Sequence, residues 1–265
     1  MTAAPAQDAH DTVLEALRIR GYSILEGVLS NDECRQWAEK LDRLNALQDA
    51  QYGIERLAEL GESGTLRGML REDPDFLALL RHPRTWPFIE RVIGASAILH
   101  LQNGIVVEPH REHHQAAFHR DFAKDFVADK VLSLNAFFAI DAFTSETGAT
   151  WWVPFTHRVS EFPSLHYLEA NAVQIEMRAG SVVLFDSLLV HRAGENRSGS
   201  PRRAINHQYT RPFIKQQMDY PVLLRDMVDP ESPLAQTLGF WSVPPRSVEE
   251  FRVDPDRRTY RRGQG

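Results

Sequence analysis

Three places in this chain hold side chains that could do chemistry together: His119-Arg120-Asp121, His191 and Arg202. On an extended segment residues i and i+2 point to the same side, so the H-x-D at 119–121 presents an imidazole and a carboxylate together. A further histidine on a facing strand completes a two-histidine, one-carboxylate set. That set leaves coordination positions of a non-haem iron(II) open for a chelating co-substrate and O2. The positive charge remaining on such a centre favours an anionic co-substrate. Ser181 to His191 reads as an apolar strand ending in the histidine, followed by a polar turn from Gly194 to Pro201 and a second strand from Arg202. The spacing predicts a hairpin that returns Arg202 beside His191, where its planar fork of donors would grip a carboxylate. An H-x-D alone recurs by chance. A competing H-x-E, His110-Arg111-Glu112, follows Pro109 in a loop-like stretch, with His113 and His114 beside it as candidates for a substrate mouth.

These groups need a scaffold. Residues up to about Gly94 read as helical: Asp8 to Arg20 has near-helical apolar spacing, and Ser30 with Glu33 forms a capping-box pattern that opens a second helix. Shorter helices are expected over Asp75 to Arg81 and Arg84 to Ile93, after Pro74 and Pro83. From about Ser96 the texture changes to strands: Ile98–Glu108, Leu132–Ala142, Thr150–Pro154, Ala172–Met177, Ser181–Phe185, Leu188–Ala193 and Arg203–Arg211. Many short strands after a helical segment predict a mainly β core with flanking helices. The expected organisation is a helical part over 1–95, a β core over 96–215 and a helix-and-loop extension over 216–265, forming one domain. Of Trp151 and Trp152, alternation sends one inward and one outward. Phe118, Phe122 and Phe126 are candidates for an apolar wall by the metal, with Lys124 and Asp125 between them in a solvated loop. His157 and His207 read as hydrogen-bonded structural residues.

Bulk properties exclude several classes. A net charge of −6 gives no basic footprint for nucleic acid. No apolar run reaches membrane-spanning length, and the first ten residues lack the pattern of a secretory signal. The lone cysteine, Cys34, permits no internal disulfide, which fits a reducing cytoplasm. A cytoplasmic protein acting on a small molecule is the expectation, and nothing in the sequence speaks to oligomeric state.

The segment from about Leu99 to Pro212 resembles the phytanoyl-CoA dioxygenase family of Fe(II)/2-oxoglutarate oxygenases. The matching pieces include Leu101-Gln-Asn-Gly104, Phe118-His-Arg-Asp-Phe122, Leu134-Asn-Ala-Phe-Phe-Ala-Ile-Asp141 and Thr144-Ser-Glu-Thr-Gly-Ala-Thr150. They continue through Val153-Pro-Phe-Thr-His157, Ala179-Gly-Ser181, His191-Arg-Ala-Gly-Glu-Asn196 and Pro201-Arg-Arg-Ala-Ile205. The resemblance implies a double-stranded β-helix (jelly-roll, cupin-like) core, with iron on His119, Asp121 and His191. It implies that Arg202, eleven residues after His191, binds the far carboxylate of 2-oxoglutarate while Arg203 points elsewhere. Gln102, Asn135 and Thr150 are implied as further residues of the co-substrate or substrate site. Hydroxylation of a C–H bond with release of succinate and CO2 is the implied reaction. Desaturation or cyclisation on the same iron, and a non-catalytic jelly-roll binding protein, are the alternatives. Halogenating relatives replace the carboxylate with a small residue, and Asp121 argues against that outcome. Phe155 departs from the family's usual Pro-Gly-Ser-His by standing in the glycine position. The segments Glu108 to Phe118 and Phe162 to Ala170 are candidate lids.

Overall fold

The computed structural model describes residues 4–111, 114–122 and 126–264. The N-terminal part is helical, as the apolar spacing predicts: α1 (Ala4–Arg20) and α2 (Asn31–Tyr52) are followed by the short helices α3 (Ile54–Glu59), α4 (Met69–Glu72), α5 (Leu77–Leu80) and α6 (Trp86–Val92). The capping box forms at α2, where Glu33 N–H donates to Ser30 Oγ at 3.3 Å and Ser30 N–H donates to the Glu33 carboxylate at 2.7 Å. Two otherwise unpaired helix-end donors are thereby satisfied.

The strands are β1 (Tyr22–Leu25), β2 (Thr65–Leu66), β3 (Ile98–Val107), β4 (Ser133–Ala139), β5 (Trp151–Trp152), β6 (Val173–Gln174), β7 (Val182–Asp186), β8 (His191–Arg192) and β9 (Arg202–Thr210). They form a six-stranded sheet in the order β1-β7-β4-β9-β3-β2 and a three-stranded sheet in the order β6-β5-β8. One further helix, α7 (Leu165–Asn171), precedes β6, so the second candidate lid is largely helical. The edge strands β1 and β2 carry too few residues to show a pattern of their own. Among the described residues neither sheet closes into a barrel, and no helix is long and apolar enough to cross a membrane.

The chain divides into two compact units. One comprises Met1–Arg67, Asn103–Lys130 and Asn135–Asn206; the other comprises Gly68–Gln102, Val131–Leu134 and His207–Gly265. Strands β3, β4 and β9 each run from one unit into the other. In the first unit, inward residues of both sheets meet in one apolar core that includes Tyr22, Val107, Phe137, Trp152, Phe185 and Ala204. Arg203, facing the other way, donates to Asp42 of α2 at 2.6 and 2.9 Å and to Asp141 at 2.9 Å. In the second unit, Tyr209 Oη donates to the Leu80 carbonyl at 2.7 Å, and Arg81 lies over the Trp86 ring at 3.9 Å.

The predicted hairpin does not form. β8 pairs with β5, in register Trp151↔Arg192 and Trp152↔His191, whereas β9 lies in the other sheet. The intervening segment crosses between sheets because the Asn196 side chain ties it down, donating to the Val107 and Ser200 carbonyls at 2.8 Å each. Gly194 is required there, since a Cβ would sit 2.4 Å from the Ala149 carbonyl oxygen.

Phe155 occupies a left-handed conformation, φ 71° and ψ −11°, with its side chain 57% exposed. A side chain in that region costs energy that glycine avoids. Phe155→Gly is therefore expected to stabilise the fold by about 0.5–1 kcal/mol, raising Tm by roughly 1–4 °C. A lower Tm in a calorimetric scan would refute this.

Candidate metal centre

Backbone pairing sets the site. His119 and His191 stand directly opposite one another: His119 N–H donates to the His191 carbonyl at 2.9 Å, and His191 N–H returns the bond at 3.0 Å. Their ring centroids lie 4.4 Å apart. Two residues on, Asp121 N–H donates to the Ser187 carbonyl at 3.0 Å, holding the H-x-D segment extended. His119 Nε2 lies 3.5 Å and His191 Nε2 3.7 Å from Asp121 Oδ1, and one ligand atom from each residue falls within 4.8 Å of the others.

Each imidazole is oriented by the chain itself. His119 Nδ1 bonds the Ala117 carbonyl and His191 Nδ1 the Leu189 carbonyl, both at 2.9 Å. A carbonyl only accepts, so Nδ1 carries the proton and the Nε2 lone pair faces the centre, as a metal ligand requires. The carboxylate is held by side chains. Asn135 Nδ2 donates to Asp121 Oδ2 at 2.9 Å and to Asn206 Oδ1 at 3.0 Å, while Ser187 Oγ donates to Asn135 Oδ1 at 2.5 Å. This leaves Oδ1 turned to the two histidines. Asn135→Ala is expected to weaken Fe(II) binding by about 10- to 100-fold while the protein stays folded. Unchanged affinity in an anaerobic titration would remove Asn135 from the site.

Strand alternation decides the rest of the lining. Arg202, Ala204 and Asn206 share one face of β9, Asn135 and Phe137 one face of β4, and Thr150 points with Trp152. Ile105, Phe137, Thr150, Trp152, Phe185 and Arg202 surround the pocket that contains the triad. Trp152 stacks on the His191 ring at 5.1 Å and 21°, and Phe185 meets that ring edge-on at 5.1 Å. Trp152 is buried and Trp151 half-buried, as alternation predicts.

Gln102 is not brought to this pocket. It lies an odd number of residues from Ile105 on β3 and so faces the other way, with Nε2 3.0 Å from His207 Nε2. The aromatic wall is also different from the expected one. Phe118 packs with Val153, Leu168 and Val190, and Phe126 is exposed, so Phe137, Trp152 and Phe185 line the pocket instead. Glu112, His113, Lys124 and Asp125 lie outside the described residues. Sequence reasoning missed Ser187 and Asn206. Neither carries a signal of its own in the sequence; the fold places Ser187 just after β7 and Asn206 on the inward register of β9.

Arg202 is 1% exposed, and its Nε and Nη1 are buried without a hydrogen-bond partner. Its guanidinium lies over the Phe143 ring at 4.1 Å. Burial pushes its pKa down to about 10, with Asp141 opposing. A buried cation with unused donors in the lining of a candidate metal pocket is shaped for an anion.

Burial also governs the histidines. It pushes His191 down to about 4 and His207 to about 3, and lowers His100 and His157. Burial alone would raise Asp121, but His191, His119 and the Asn135 amide outweigh it and hold the carboxyl below its ordinary value. Two neutral imidazoles and one carboxylate are the protonation states that divalent iron needs.

A histidine depressed in the fold binds fewer protons there than in the unfolded chain. Its contribution is full above the unfolded value near 6.5 and is lost as pH falls toward the folded one. Asp186 runs the other way: burial lifts it to about 6, so its contribution is lost as pH rises from 3.8 to that value. The histidines outnumber it. The metal-free protein is expected to lose stability from pH 6.5 toward 4, by about 1.4 kcal/mol per pH unit for each net proton. Urea midpoints that stay flat across that range would contradict this.

Comparison with known proteins agrees with the geometry. The phytanoyl-CoA dioxygenase (PhyH) profile matches residues 17–204. The chain is 42% identical over 262 residues to the uncharacterized protein Rv1501 of Mycobacterium tuberculosis, covering 96% of each. It is 26% identical over 255 residues to dioxygenase aneA of Aspergillus aculeatus, covering 89% of this chain and 84% of that protein. Among solved structures, the epimerase SnoN in complex with Fe3+, alpha ketoglutarate and nogalamycin RO aligns with a TM-score of 0.59 at 20% identity, over 77% of this chain and 84% of that one. That last likeness is one of fold.

Proposed function

The chain belongs to the phytanoyl-CoA dioxygenase family, and from that premise we propose that it hydroxylates an unactivated C–H bond of a small organic metabolite. It is an iron- and 2-oxoglutarate-dependent dioxygenase. In our reading His119, Asp121 and His191 hold the iron, and Arg202 takes the far carboxylate of 2-oxoglutarate. The observation that carries this reading is the pairing of the triad with the buried Arg202, whose Nε and Nη1 have no hydrogen-bond partner, in the lining of one pocket. The donor set suits iron(II), and a dicarboxylate supplies both a chelating end and a partner for Arg202.

When bound, iron supplies the activation of O2 that converts 2-oxoglutarate to succinate and CO2 and oxidises the substrate. The chain's own residues do the rest. The Ala117 and Leu189 carbonyls keep both imidazoles in the ligating tautomer. Asn135 and Ser187 hold Asp121 with one oxygen toward the centre. Phe137, Trp152 and Phe185 exclude water from the pocket wall, which strengthens the pairing of Arg202 with an anion. Asp121 occupies the ligand position that halogenating enzymes of this kind leave small, which supports oxygen insertion.

The test begins without oxygen. Fe(II) followed by 2-oxoglutarate is expected to give the weak visible charge-transfer band of the chelate, and His119→Ala is expected to lose it. No band in intact, folded protein with excess iron would overturn the oxygenase reading. A metabolite extract is then incubated with the loaded enzyme under 18O2. A product carrying one 18O supports hydroxylation, whereas loss of two hydrogens without label would replace it with desaturation or cyclisation.

A further inference from the structure

The pocket around the triad is narrow. A cavity of about 690 Å3, the size that holds small metabolites, opens beside it, and Ala193 lines both. The larger cavity is basic. Arg192 follows the ligand His191 and, by strand alternation, turns to the opposite side of β8. Its guanidinium lies 4.7 Å from the Phe118 ring centroid and 5.7 Å from that of Trp151. Its Nε is buried and makes no hydrogen bond. Arg111 lines the same cavity, and among the described residues neither arginine forms an ion pair. The third arginine there, Arg197, is already matched by Glu195 at 2.7 Å.

Arg192, held between aromatic faces, is preorganised for an oxyanion, and Arg111, exposed and without an ion pair among the described residues, adds a second guanidinium to the site. We propose that this cavity binds the substrate through a carboxylate or phosphate on Arg192 and Arg111. The substrate is then an organic anion whose remainder passes the small Ala193 side chain to reach the iron. This inference rests on the oxygenase reading above, since it takes the neighbouring pocket as the place of reaction.

The experiment uses protein loaded with Fe(II) and saturating 2-oxoglutarate under anaerobic conditions. Phenylacetate, phenyl phosphate and the neutral phenylacetamide are titrated by calorimetry, with the charge-transfer band recorded alongside. At least one anion is expected to bind with millimolar affinity, and the amide about 10-fold or more weaker. The double variant R111Q/R192Q is expected to weaken the anion about 10-fold or more while leaving the amide and the 2-oxoglutarate band unchanged. The intact band also shows that the variant is folded. The preferred anion tells a carboxylate site from a phosphate site. Wild-type anion affinity in the double variant, equal binding of the amide, or no saturable binding of either anion would overturn the proposal. Absence of the band is a separate failure that falls on the iron reading, because the calorimetric arm reports on the cavity in either case.

Discussion

Replacing Arg202 by methionine is expected to stabilise the ligand-free protein while weakening 2-oxoglutarate by at least about 100-fold. The two effects have opposite sign because the guanidinium is costly to the fold and useful to the site. Its Nε and Nη1 are buried with no hydrogen-bond partner, and burial pushes its pKa down to about 10. Methionine fills a similar volume without leaving donors unsatisfied, so roughly 1–3 kcal/mol of stability should return. A carboxylate arriving in the pocket would lose its charged partner, a loss of the size found when one member of a buried pair is removed. Arg202→Lys should recover little, because a point charge on a flexible stem does not replace a planar fork. Tm of the metal-free protein and the apparent affinity for 2-oxoglutarate, measured on the same sample, check both halves. A fall in both would make Arg202 a structural residue.

Asp121→Ala is expected to weaken Fe(II) by at least about 1,000-fold, roughly 4 kcal/mol, and to abolish 2-oxoglutarate-dependent O2 consumption. It removes the one anionic ligand of the set and leaves two neutral imidazoles, which offset none of the metal's charge. Asn135 keeps Asn206 and Ser187 as partners, so the surrounding polar cluster should survive and the variant should fold. Equilibrium iron binding with a competing chelator reads the effect. Retention of wild-type affinity would move the metal away from these residues.

Much of this site was legible in the sequence because strand periodicity is local information. H-x-D on an extended segment needs only the two-residue repeat, and the structure brings His119 and Asp121 to one side of the centre. That one of Trp151 and Trp152 turns inward followed from the same rule, and the structure makes it Trp152. What failed was long-range. The polar turn after His191 reads like a hairpin, yet Asn196 side-chain bonds to Val107 and Ser200 carry the chain to the other sheet. The face of β3 that Gln102 occupies depends on which sheet neighbour covers it, and residue type alone does not say so. Strands β1 and β2 are two to four residues long and exist by pairing with β7 and β3, far along the chain. Ser187 and Asn206 are ordinary polar residues until the sheet order places them against Asn135.

The two kinds of anchoring at the candidate metal centre bear on how this site can drift over descent. The histidines are set by the Ala117 and Leu189 carbonyls, and a carbonyl cannot be mutated away. Substitution at 117, where the side chain is exposed, leaves the imidazole settings inherited intact. The carboxylate instead hangs on Asn135, Ser187 and Asn206, three side chains that must change in concert. Lineages diverging from this chain can therefore change the side chain at 117 without resetting His119, while the Asp121 corner is where a new chemistry would have to begin.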